Sequence, residues 1–131
     1  QVIRATTYNN LGCYFRARGK LNAALQYVER ALRVENRVKQ ADNPSRTYLN
    51  LGVVLSMMGR HDEAIERTET AVGILQDELQ QADGLRRRQE VVSTLVVAFH
   101  NLAAEKWQLK QDGSDAIHRG LNLARLELGE R

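Results

Sequence analysis

Residues 8–31 read YNNLGCYFRARGKLNAALQYVERA, and residues 48–71 read YLNLGVVLSMMGRHDEAIERTETA. Laid one over the other, they correspond at a constant displacement of 40: Tyr8 with Tyr48, Leu11 with Leu51, Gly12 with Gly52, Phe15 with Leu55, Gly19 with Gly59, Ala24 with Ala64, Val28 with Thr68 and Ala31 with Ala71. Within each copy, steps of three and four put the aromatic, the Leu-Gly pair and the second large residue on one helical face. Gly19 and Gly59 then close that helix, because glycine accepts a left-handed backbone without a Cβ penalty. A second amphipathic helix follows. The unit is therefore helix, turn, helix, and it recurs.

Outward from this pair, the spacing predicts helices over about 2–18 and 21–40. Asn43-Pro44 then signals a third start, with Asn43 capping free N–H groups and Pro44 in the first turn, where no hydrogen bond is lost. A fourth helix, capped by Asp62, runs to about Gln81, and Asp83-Gly84 breaks the chain. A fifth runs over about 85–110, the turn Gln111-Asp112-Gly113 leads to Ser114 as cap, and a sixth helix follows. The third copy is degenerate: Phe99, Leu102 and Ala103 restate the first helix, but Leu102 stands 51 residues after Leu51. Lys106 then falls in the slot of Phe15 and Leu55. A slip of one position there would bring Trp107 into the core and turn Lys106 to solvent. With one inserted residue, Ala116 matches Ala24 and Ala64, and Gly120 matches Val28 and Thr68.

The chain is thus read as one all-α domain over 1–131, with repeats at about 5–43, 44–83 and 85–131, forming a fragment of a longer protein. No single helix pair can bury its own apolar stripe, so the pairs must stack. Ile117, Leu121, Ala124 and Leu128 leave a stripe on the last helix with nothing to cover it, which predicts self-association of the isolated chain. Composition agrees with a helical, core-forming domain: 43% of the 131 residues are hydrophobic, and there is one proline. The net charge of +3 is uneven, with +5 over residues 1–44 (8 basic, 3 acidic), −4 over 45–84 (3 and 7) and +2 over 85–131 (8 and 6). Charge of this size is read as solvated surface.

The unit resembles the tetratricopeptide repeat, with its aromatic, Leu-Gly, second aromatic and later Ala positions, departing from it at Val28 and in lacking the closing Pro. The resemblance implies three such repeats, six antiparallel helices stacked as a right-handed superhelical solenoid. It also implies a concave groove lined by the first helix of each repeat, with the residue before the Leu-Gly pair pointing inward. That residue is Asn10, Asn50 and Asn101. An amide both donates and accepts, so a ladder of them can hold the backbone of an extended peptide whatever its sequence. In this and in the 40-residue period the chain is similar to the repeats of kinesin light chain and partner-of-inscuteable. The same projection puts Thr6, Asn9, Cys13 and Arg16 in the groove, then Arg46, Leu49, Val53 and Met57, then His100, Ala104, Trp107 and Gln108. Such a surface, part apolar and part cationic, suits a mixed peptide. The chaperone-binding members clamp a terminal carboxylate with Lys, Asn and Arg side chains, but only Asn50 matches that set here. Asn9, Cys13, Val97 and Asn101 occupy the other places.

The expected function is a protein-interaction adaptor with a protein or peptide partner. The competing reading is a structural element of a cytoskeletal or ciliary assembly. The chain is read as no enzyme and as needing no cofactor or metal: His61, His100 and His118 form no zinc motif, and no phosphate loop or nucleophile motif occurs. Cys13 is read as a small packing residue with no disulfide partner. Arg86-Arg87-Arg88 spreads around a helix and forms no phosphate-binding strip, so no nucleic-acid partner is expected. No apolar run reaches the roughly 20 residues of a membrane span. With no signal-like segment, the expected location is the cytoplasm.

Overall fold

A computed structural model of the chain describes residues 4–37, 44–109 and 114–128. Six helices follow one another: α1 (Ala5–Ala17), α2 (Leu21–Arg37), α3 (Ser45–Met57), α4 (His61–Gln81), α5 (Leu85–Gln108) and α6 (Ser114–Glu127). The two turn glycines act as read. Gly19 has φ +75° and Gly59 φ +79°. Each sits in a Schellman closure: Gly19 and Lys20 donate to the carbonyls of Arg16 and Phe15 (3.0 and 2.9 Å), and Gly59 and Arg60 to those of Ser56 and Leu55 (both 2.9 Å). Gly84, with φ +86°, supplies the break between α4 and α5. Asn43 and the turn at 111–113 lie outside the described residues. Asp62 is not the cap of α4: Arg60 holds that position, and Asp62 lies in the first turn, where its charge still suits the positive end of the helix dipole.

Helices α1 and α2, α3 and α4, and α5 and α6 pack as hairpins, and α2 and α4 each also pack against the next hairpin. The odd helices approach one another in sequence, whereas among the described residues the backbones of α2, α4 and α6 stay further apart. An inner layer in contact and an outer layer splayed apart define a curved stack with α1, α3 and α5 on its inner side. This is a solenoid of helix pairs, as read. The hairpins close tightly at the Leu-Gly pairs. A Cβ on Gly12 would fall 2.5 Å from Val28 Cγ2, and one on Gly52 would fall 2.6 Å from Thr68 Oγ1. Two apolar clusters join the hairpins. One unites Val28 of α2 with Leu51 and Leu55 of α3, and the larger unites Val72 and Leu75 of α4 with Leu95, Phe99 and Leu102 of α5. Tyr27 stacks between Tyr8 and Phe15, with ring centroids 6.2 and 5.4 Å away, so these aromatics are packing residues.

The third repeat departs from the reading in two places. Trp107 does not enter the core: it is 79% exposed. Lys106 keeps the slot of Phe15 and Leu55 and is half-buried there. No slip of α5 occurs. Gly120 does not face Ala103 as Val28 faces Gly12. Its nearest neighbours are Phe99 Cβ, 3.2 Å from an added Cβ, and the carbonyl of Val96, about one turn back along α5. On the outer side of α6, Ile117, Leu121 and Leu128 are exposed and Ala124 is half-buried, so the expected bare stripe is present.

Candidate functional site

The inner surface of the stack holds an open groove of about 880 Å³, walled by Thr6, Asn10 and Cys13 of α1, Arg46 and Asn50 of α3, and Glu90 and Thr94 of α5, among others. Its length comes from unequal helices. α1 and α3 have 13 residues each, α4 has 21 and α5 has 24, so the end of α4 and the start of α5 overhang α3 and wall the groove with Glu78 and Arg87. These two and Glu90 were not among the residues that the repeat register projects into the groove, because that projection took only the first helix of each repeat around its Leu-Gly slot. The only signal in the sequence was helix length.

Asn9 is only 8% exposed. Its Nδ2 donates to Thr47 Oγ1 at 2.8 Å, and its Oδ1 accepts from Asn50 Nδ2 at 3.2 Å. It touches the groove floor and belongs chiefly to the α1–α3 junction. Its counterpart Leu49 is buried in the larger apolar cluster and does not face the groove. The bond to Asn9 fixes the Asn50 amide, whose Oδ1 and second N–H have no other hydrogen-bond partner among the described residues. Asn10 is exposed beside it. Asn101 stands apart, lining a smaller hollow of about 180 Å³ with Val53, Met57 and Ala104. The three amides therefore do not share one cavity. Arg46 faces the large groove, while Arg16 and His100 line neither.

The electrostatics are mixed, with more acid than projection from α1 and α3 suggests. Arg87 bridges Glu78 (3.1 Å) and Glu90 (3.4 Å) across the overhang. Burial pushes the Glu78 carboxyl above its ordinary range, and Arg87 opposes this only in part. Arg86 lies 3.9 Å from Glu90, and Arg88 binds Glu127 through two contacts of 2.6 and 2.5 Å. Each arginine of the run thus has a carboxylate beside it, Arg86 and Arg87 sharing Glu90. Among the described residues, no group of three or more His, Cys, Asp or Glu side chains could hold a metal ion, and no helix is long and apolar enough to cross a membrane.

The arrangement offers hydrogen-bonding groups and a few charges along an open groove. A family model described as Tetratricopeptide repeat matches residues 3–77, more than half of the sequence and both well-formed repeats. Among curated proteins nothing matches the chain. Repeats of this family generally mediate protein–protein interaction on a fold that is, in general, not enzymatic. With the repeat register, the hairpin stack and the match all in agreement, the chain belongs to the tetratricopeptide repeat family.

Proposed function

We propose that the chain is an interaction adaptor whose groove binds an extended segment of a partner protein, with asparagine side chains pairing to the segment's backbone. The observation that carries this is the Asn50 amide: held by Asn9 at 3.2 Å, it presents an oriented acceptor and one N–H at the wall of an 880 Å³ groove, next to exposed Asn10. Pre-oriented amides lose little freedom when they bind a backbone. The 40-residue period and the asparagine slot, shared with repeats of the kinesin light chain type, support the same reading. Arg46 favours an acidic residue in the segment, and the Met57–Asn101 hollow offers a small apolar side chain a place. The test is selection from a displayed random-peptide library, followed by titration of the selected peptides. Asn10→Ala and Arg46→Ala should each weaken binding by about 1–3 kcal/mol with little effect on thermal stability. Selected peptides that bind both variants as tightly as the parent would sink the reading.

A second reading, a structural segment of a cytoskeletal or ciliary assembly, draws support from the exposed apolar side chains Ile117, Leu121 and Leu126 on α6. An obligate scaffold should yield no reversible, salt-sensitive peptide binding in the same experiment.

A further inference from the structure

The small hollow between α3 and α5 has a wall that the repeat register does not account for. Val54 of α3 is 1% exposed, and in its slot on α5 stands Glu105, 8% exposed and the only buried acid among the described residues. A carboxylate taken out of water is costly unless it is paired. His61, the first residue of α4, supplies one partner, with its Nδ1 2.6 Å from Glu105 Oε2. Among the described residues the other oxygen has no hydrogen-bond partner, and neither has the Asn101 amide or the Ser56 hydroxyl. All three residues line the same hollow of about 180 Å³, whose other walls include Val53, Met57 and Ala104. The cavity is therefore apolar along its sides and carries a buried carboxylate with one oxygen unengaged.

We propose that this hollow takes the side chain of a lysine in the bound segment, its ammonium on Glu105, Asn101 and Ser56 and its methylene stem along Val53, Met57 and Ala104. The inference rests on the reading of the groove as a segment-binding surface. A short apolar side chain meets the walls but leaves the Glu105 carboxylate unmet, whereas a lysine is apolar along its stem and charged at its tip. An ammonium has three donors for three separate acceptors, and its bond to the carboxylate is charge-assisted. Arginine fits less well, because its planar fork suits both oxygens of one carboxylate and His61 already holds one of them. The place of the lysine in the segment follows from α3. Arg46, Asn50, Val53 and Met57 recur at steps of three and four, so the groove and the hollow lie along one face of that helix. Arg46 stands about 10–16 Å along the axis from Val53 and Met57. An extended chain covers that span in about three to five residues, which sets the separation between the lysine and the acidic residue that Arg46 favours.

Peptides selected on the 131-residue chain supply the test. Each position of a selected peptide is replaced in turn by lysine and by norleucine, which has the same stem without the charge. At one position, lysine should bind about tenfold more tightly than norleucine. Glu105→Gln keeps the shape of the side chain and removes its charge, so it should bring the two peptides to within about twofold of each other. Ala104→Leu changes an exposed residue and fills the hollow from its rim, so it should erase the preference too, and it serves where circular dichroism shows Glu105→Gln unfolded. A Glu105–His61 pair that is only structural predicts a lower melting temperature for Glu105→Gln with the lysine preference unchanged, and that result overturns the proposal. Norleucine peptides that bind the parent as tightly as lysine peptides at every position overturn it as well. If those peptides still weaken on Asn10→Ala and Arg46→Ala, the lysine site alone falls and the segment-binding groove stands. A library that yields no binding peptide overturns both.

Discussion

Asn9 and Leu49 occupy one slot in successive repeats, and both are buried, the first through hydrogen bonds and the second through apolar contact. Asn9→Ala strands the Thr47 hydroxyl, itself fully buried, and releases the Asn50 amide, so it should cost about 1–3 kcal/mol. A lower urea midpoint at unchanged slope would show this. The glycines give a sharper comparison. Gly12→Ala drives a methyl to 2.5 Å from Val28 Cγ2, and such overpacking costs about 1–3 kcal/mol, more than the helix propensity gained. Val28→Ala should recover part of that loss in a double-mutant cycle. Gly73 lies mid-helix in α4 with nothing within 4 Å of its added Cβ, so Gly73→Ala should instead stabilise by about 0.5–1 kcal/mol. Equal signs for the two substitutions would refute the packing argument.

Helix α6 is held along one side by Ala116 and Gly120 against α5, and near its end by Glu127 on Arg88. The Arg88 hydrogen bond, chiefly, keeps the Glu127 carboxyl below its ordinary value of 4.5. A carboxyl depressed by folding stabilises the fold above its unfolded value, and that contribution disappears as pH falls through the lowered folded value. Glu127→Gln should therefore lower the melting temperature at neutral pH, and the gap to the parent should close in acid, below pH 4.5. Glu78 has the opposite sign. Burial raises its carboxyl, so its ionisation opposes folding at neutral pH, and protonation on descending through the raised value relieves that cost. Thermal melts of Glu127→Gln and Glu78→Gln from pH 7 to pH 3 should thus diverge from the parent in opposite directions at neutrality.

A stack of this kind owes its stability to each hairpin and to each junction between neighbours. The junction of α4 and α5 holds the larger apolar cluster, with Leu75 and Leu95 fully buried, while among the described residues α1 and α6 each pack on one side of the stack only. Amide exchange should be slowest around Leu75, Val92 and Leu95 and fastest in α1 and α6, with partial opening that starts at the ends. Uniform protection across all six helices would show that the chain unfolds as a single block, against the junction argument.

The turn glycines, the hairpin register of the first two repeats and the apolar stripe on α6 were legible in the residues themselves, because period, glycine at positive φ and apolar spacing are local properties. The closing of Gly12 on Val28 and of Gly52 on Thr68 repeats at the same displacement of 40, but that these positions face each other came from the packing. Other features depended on neighbours distant in sequence. Asn9 and Leu49 project toward the groove on a helical wheel, but the approach of α3 to α1 and of α5 to α3 buries them. Glu78, Arg87 and Glu90 wall the groove because α4 and α5 outrun α3. Trp107 stays in water because α5 keeps its register through Lys106, which holds the slot half-buried. The sequence alone determined what repeats, since periodicity is written along one chain. Only tertiary packing decided which face of each repeat is covered, since burial depends on what stands opposite.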